Sequence, residues 1–320
     1  MKTEIAKDIE TAGYSIQYDT QCKKVLANKR ILAWIMKEAV TEFSHLSIDY
    51  IYNCIEHEPE IGTISTEPGC TNTKEKITGI NTEDKVQNEG SITYDIRFEV
   101  FAPHEEAPVK IILNIEAQKD FYPGYPIVTR GIYYDARMIS AQNGTEFSKS
   151  NYGDIKKVYS IWICMNAPKH IGNAISRYDI HKTDVIHNVP EEIRNYDKMC
   201  IVMICLNETQ KEKHAFFNMM NTLLSPTLDV NTKKSILQNE YHIPMDDGLI
   251  KEMSLMCNLS EYVWECGNKA GIETGLEQGR RENTETIVKN LLRIGSVPDS
   301  VIMEAAQITE EELTQIKIEM

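Results

Sequence analysis

Strict alternation of apolar and polar residues is confined to one part of the chain. In "SITYDIRFEVFA" (91–102), Ile92, Tyr94, Ile96, Phe98 and Val100 share one face, and Thr93, Asp95, Arg97 and Glu99 share the other. That is the period of a half-buried strand. "PHEEAP" (103–108) is turn material, and "VKIILNIEAQKDF" is the second strand of the resulting hairpin. There Ile111, Leu113, Ile115 and Ala117 point one way and Glu116 and Gln118 the other. Taken alone, this second run reads as an edge strand with its polar face in water.

Helical periods flank the hairpin. Residues 19–57 carry one apolar stripe through Ile31, Leu32, Ile35 and Ala39 and another through Ile48, Ile51, Tyr52 and Ile55. "FSHLS" divides them into two helices, with Ser47 as the second N-cap. Residues 58–91 lack an apolar pattern and read as a long loop. "YPGYP" turns the chain into a helix over 127–142, followed by two short, largely apolar strands, 157–166 and 199–206. Helical patterns dominate afterwards. This order predicts an α/β fold, a mixed sheet flanked by helices, occupying residues 1–264.

Residues 265–320 form a second, all-helical region. Gly267, Gly271, Gly275 and Gly279 stand four apart, although each interior glycine costs a helix about 1 kcal/mol against alanine. They mark a flexible joint or a helix backbone packed closely on a partner. The remainder predicts three short helices separated by "GSVPDS" and "QITEE", in outline a helix-turn-helix.

Composition narrows the function classes. The chain has 320 residues, 42% of them apolar, enough for a sizeable core. Its longest clean apolar run, "MCIVMICL", falls far short of the roughly 20 residues that span a bilayer, and the N-terminus has no apolar signal segment. The expectation is a cytoplasmic protein without a membrane partner. Eight cysteines include no C-x-x-C pair, which argues against structural zinc and fits a reducing compartment. A net charge of −14 opposes general phosphate binding. Residues 22–37 nevertheless hold Lys23, Lys24, Lys29, Arg30 and Lys37 with no acid. The 265–320 region has 11 acidic and 6 basic side chains, so self-association as a homodimer, or regulation, is favoured there over groove reading.

The candidate chemistry lies in the hairpin. Asp95 and the Glu116/Gln118 pair can meet across two paired strands, where carboxylates bind a hard divalent ion such as magnesium or manganese. Such an ion can activate water and stabilise charge developing on a phosphate. The bland alternative is a solvated face, or cross-strand pairing with Arg97 and Lys110.

Asp95 followed by "IEAQK" resembles the core of the PD-(D/E)XK nuclease superfamily. It is most similar to the branch called PD-(D/E)XK nuclease family transposases, related to recombination-promoting nucleases. "ILAWIMKEAVTEF", "ITGINTEDKVQNEGSITYDIRF", "YPGYPIVTRGIYYDARMISAQ", "KVYSIWICMNAP" and "NLLRIGSVPDSVIMEAAQITEEEL" extend the resemblance over roughly residues 18–316. The resemblance implies a restriction-endonuclease-like core and hydrolysis of DNA phosphodiesters with Mg2+ or Mn2+. Asp95 and Glu116 would be metal ligands and catalytic residues, and Gln118 would hold the place of the signature lysine near the attacking water. A glutamine brings no charge, so Lys119 (through a bulge) or Arg130 is expected to supply it. Glu38, Glu42 and Glu83 are candidates for the further acid that the superfamily often carries on its first helix. One rival reading is a catalytically weak or inactive nuclease fold acting as a nucleic-acid- or protein-binding module. The other, a DDE-type recombinase, lacks a recognisable third acid.

Overall fold

The computed structural model describes residues 17–55, 59–61, 83–86, 90–103, 108–119, 121–209, 213–295 and 297–318, with backbone alone at 60, 83–86, 90–93, 260–277 and 280. The chain divides into two compact units, Met1–Glu261 and Tyr262–Met320.

The first unit begins with α1 (17–26) and α2 (Lys29–Ala39). Asn28 breaks them apart: its side chain accepts from Arg30 N at 3.0 Å and starts α2. A 3-10 turn (Thr41–Phe43) leads to α3 (Ile48–Asn53), capped by Ser47 as its sequence predicts. The strands β1 (Glu60–Ile61), β2 (Glu83–Val86) and β3 (Gly90–Thr93) follow. β2 and β3 form a two-stranded antiparallel ladder; β2 lies inside the stretch expected to be a loop, and β3 covers the start of the expected 91–102 strand. Next come β4 (Ile96–Ala102), β5 (Val109–Gln118), α4 (Ile127–Ser140) and β6 (Lys157–Cys164). The unit then adds β7 (Ala174–Asp179), α5 (Ile193–Tyr196), β8 (Met199–Cys205), α6 (Ala215–Leu224) and α7 (Val230–Tyr241).

The main sheet has the order β1-β4-β5-β6-β8-β7. The β4–β5 and β8–β7 pairs are antiparallel, while β5–β6 and β6–β8 are parallel. Parallel neighbours need a crossover, and α4 supplies it between β5 and β6. β5 therefore lies inside the sheet and is not an edge strand. Ile111, Leu113 and Ile115 join a core shared with α1, α2, α6 and α7, whereas Ile112 faces the core under α4.

Two other expectations change. Residues 91–102 are not one strand: the ladder stops at Thr93 and resumes at Ile96, with a bend at Asp95. Tyr94 consequently packs in the α4 core, and Ile96, Phe98 and Val100 pack in the opposite one. β7, an edge strand whose residues from Ser176 on are exposed, carries too little apolar signal to be anticipated.

Helix α8 (Asp247–Ile294) is continuous, so the glycine series lies in helical backbone. A Cβ at Gly279 would meet nothing within 4 Å; the surroundings of Gly267, Gly271 and Gly275 lie outside the described residues. In the second unit, α9 (Asp299–Ala306) and α10 (Glu310–Ile318) surround a small core of Val288, Ile302 and Leu313. Thr309 and Glu312 form a reciprocal cap, with Thr309 N donating to Glu312 Oε2 at 2.8 Å and Glu312 N to Thr309 Oγ1 at 3.2 Å. Among the described residues, no helix is long and apolar enough to cross a membrane.

Candidate functional site

Register places the two acids together. Ile96 pairs with Ile115, so the bend just before β4 brings Asp95 beside Glu116. Asp95 N donates to Glu116 Oε1 at 3.0 Å, and Ala117 N donates to Asp95 Oδ2 at 3.0 Å. Each strand's backbone thus holds the other strand's carboxylate. Both side chains are buried, Asp95 4% and Glu116 3% exposed. The bland partners are engaged elsewhere: Lys110 pairs with Glu99 and Glu146 at 2.7 and 2.6 Å, and Arg97 lies over the Tyr94 ring.

The counter-charge on Asp95 comes from a residue that strand periodicity did not single out. Lys23 on α1 places Nζ 2.8 Å from Asp95 Oδ1 and 2.7 Å from Asp19 Oδ2. The cluster of bases at 22–37 was its only sequence signal, and that cluster is not an open patch. Lys23 is buried, Lys24 faces Glu252, Arg30 pairs with Asp49, and Lys37 binds the Leu46 carbonyl.

Electrostatics follow from burial. Desolvation, then the Asp95 charge, pushes Glu116 well above the usual carboxylate range; the Asp95 N–H, Arg130 and Lys23 pull against this. Desolvation also raises Asp95, with Lys23 opposing it. For Lys23, burial disfavours the charge, but Asp95 and Asp19 outweigh it and hold the ammonium above the usual lysine range.

The remaining candidates separate clearly. Gln118 ends β5 two residues beyond Glu116, on the same face, half-buried. Its carbonyl accepts from Met165 N at 2.9 Å. Lys119 follows the end of the strand at a bend, with its ammonium 5.9 Å from the Tyr18 ring centre. Arg130 donates to the Tyr134 hydroxyl at 2.6 Å and to the Tyr125 hydroxyl, and lies over the Trp162 ring. Its charge acts on Glu116.

Two of the candidate acids, Glu38 on α2 and Glu42 in the 3-10 turn, face other partners. Glu42 accepts from Lys157 Nζ at 3.0 Å and Tyr159 OH at 2.6 Å, near the start of β6. Glu116 lies opposite Trp162, further along that strand. Glu38 faces His214 at 3.8 Å. Glu83 pairs through its backbone with Thr93, and its side chain lies outside the described residues. The helical acid linked to the cluster is Asp19, through Lys23.

These donors fit a hard divalent ion. They are buried carboxylate oxygens, where added positive charge would offset the desolvation that raises both acids. Among the described residues no three His, Cys, Asp or Glu side chains form a metal-holding group. Magnesium needs only one or two protein carboxylates because it retains waters.

Comparison of the chain with family models, with curated proteins and with solved structures finds no match.

Proposed function

We propose that the chain is a Mg2+- or Mn2+-dependent DNA endonuclease built on a PD-(D/E)XK, restriction-endonuclease-like core. The observation that carries this reading is the Asp95–Glu116 pair, buried and cross-braced between the bend before β4 and the end of β5. The sequence of helices, antiparallel β4–β5 pair, α4 crossover and parallel β6 supports it, as does "IEAQK" at the end of β5. Asp95 and Glu116 would hold the ion, whose chemistry is to lower the pKa of a bound water and stabilise phosphate charge. The two backbone N–H groups fix both carboxylate rotamers before substrate arrives, which reduces reorganisation at the moment of reaction. Gln118 can orient a water or a phosphate oxygen through its amide. Arg130, held by two tyrosine hydroxyls, contributes fixed positive charge on the Glu116 side.

Purified protein with Mg2+ or Mn2+ is expected to nick supercoiled plasmid, and chelator or Asp95→Asn is expected to stop it. Equal nicking by wild type and variant would contradict the reading. One observation favours a non-catalytic binding module: Lys23 already neutralises Asp95. The same assay separates the two readings. We assign the C-terminal unit to self-association. Deletion of 265–320 should convert a dimer to a monomer in light scattering while low-salt DNA binding persists; a dimer that survives the deletion contradicts the assignment.

A further inference from the structure

A glutamine at position 118 leaves the nuclease reading without the positive charge of the signature lysine. Lys119 sits over the Tyr18 ring, and Arg130 is clamped between the Tyr125 and Tyr134 hydroxyls. Lys23 has a different placement. It reaches the carboxylate pair from α1 and is only 3% exposed, yet it carries two acid partners instead of one.

We propose that Lys23 is the working cation of this site. In the resting protein it neutralises Asp95, and toward a bound phosphodiester it supplies the positive charge that Gln118 lacks. The proposal rests on the nuclease reading of Asp95 and Glu116. Its physical basis is the second partner. Asp19 lies one helical turn before Lys23 and faces it at 2.7 Å. The ammonium can therefore release Asp95 without becoming an unpaired buried charge, which would be strongly unfavourable. A lysine also suits the task better than a clamped arginine, because its compact charge rides on a flexible stem with rotatable donors.

The test is Mn2+ titration calorimetry on the full chain, wild type against Lys23→Gln, with plasmid nicking measured in parallel. Glutamine can still hydrogen-bond Asp95 but removes the competing charge. Lys23→Gln is expected to bind Mn2+ about 5-fold tighter or more, from loss of a like charge next to the ion. At saturating Mn2+ its nicking should fall about 100-fold, the scale for loss of one preorganised charge-stabilising group. Adding Gln118→Lys to Lys23→Gln should restore about 10-fold of that activity.

If Lys23→Gln is unfolded without metal, recovery of its native circular dichroism on Mn2+ addition supports the proposal, and failure to recover overturns it. Unchanged Mn2+ affinity together with a double variant no more active than Lys23→Gln would reduce Lys23 to a structural ion pair and overturn it. A wild-type protein that nicks nothing, while Lys23→Gln still tightens Mn2+ binding, overturns the nuclease reading and with it the phosphate half of the proposal.

Discussion

Two groups of buried acid lie near α4, in contrasting surroundings. Asp95 and Glu116 are braced by backbone N–H groups, with Lys23 and Arg130 acting on them. Asp135, on α4 itself, is 0% exposed, and neither carboxylate oxygen has a hydrogen-bond partner among the described residues. Its one counterweight, the Cys200 backbone N–H, falls short of hydrogen-bond geometry. Burial pushes both Glu116 and Asp135 well above the usual carboxylate range. A raised carboxyl therefore does not by itself mark a site. Convergent counter-charge and a second acid distinguish the Asp95 cluster, whereas Asp135 is better understood as a neutral, protonated side chain kept in an apolar layer.

The largest expected effect separates the two groups by activity. Glu116→Gln should lower metal-dependent nicking about 1000-fold or more, and Asp135→Asn should leave it within about twofold, since Asp135 has no contact with the pair. Comparable losses in both variants would erase the distinction.

Stability should then divide the pair internally. Asp95→Ala removes one of two partners of buried Lys23 and strands the Ala117 N–H. It is expected to cost about 2–4 kcal/mol in urea denaturation. Glu116→Gln removes a raised acid and should be neutral or stabilising by up to about 1 kcal/mol at pH 8. An Asp95→Ala protein as stable as wild type would mean that the ion pair contributes nothing.

The pH dependence sharpens the Asp135 side. Its folded form holds the proton to higher pH than the unfolded chain does, so folded stability declines as pH rises from the unfolded pKa through the raised folded one. Asp135→Asn should flatten that slope and gain about 1 kcal/mol at pH 8 while changing little near pH 3. Parallel curves for variant and wild type would argue against a raised Asp135.

The smallest effect is assigned to position 118. Gln118→Ala should lower nicking about 10-fold without abolishing Mn2+ binding, and Gln118→Lys should keep or raise activity. Loss of Mn2+ binding in Gln118→Ala would place this residue among the ligands.

Much of this contrast was visible in the pattern of residues. Period-two alternation located β5 and its Glu116/Gln118 face, and apolar runs located β6 and β8. Ser47 announced α3 because an N-cap is a local hydrogen bond. Lys23 could not be found this way, since its partner is brought to it by packing of α1 on the sheet, and no local rule links residue 23 to residue 95. The bend at Asp95 was equally hidden. Tyr94 and Ile96 are both apolar, so a change of core looks the same as an unbroken strand. Asp135 lies in "YYDARM", where nothing local distinguishes a buried acid from a solvated one.

Mn2+ calorimetry on wild type, Glu116→Gln and Asp135→Asn at pH 7.5 tests the central claim most directly. Wild type and Asp135→Asn are expected to bind Mn2+ alike, and Glu116→Gln to bind it about 100-fold more weakly or not at all, because a buried carboxylate ligand is gone. Equal Mn2+ binding by all three proteins, or none by any, would contradict the assignment of Asp95 and Glu116 as a cation site.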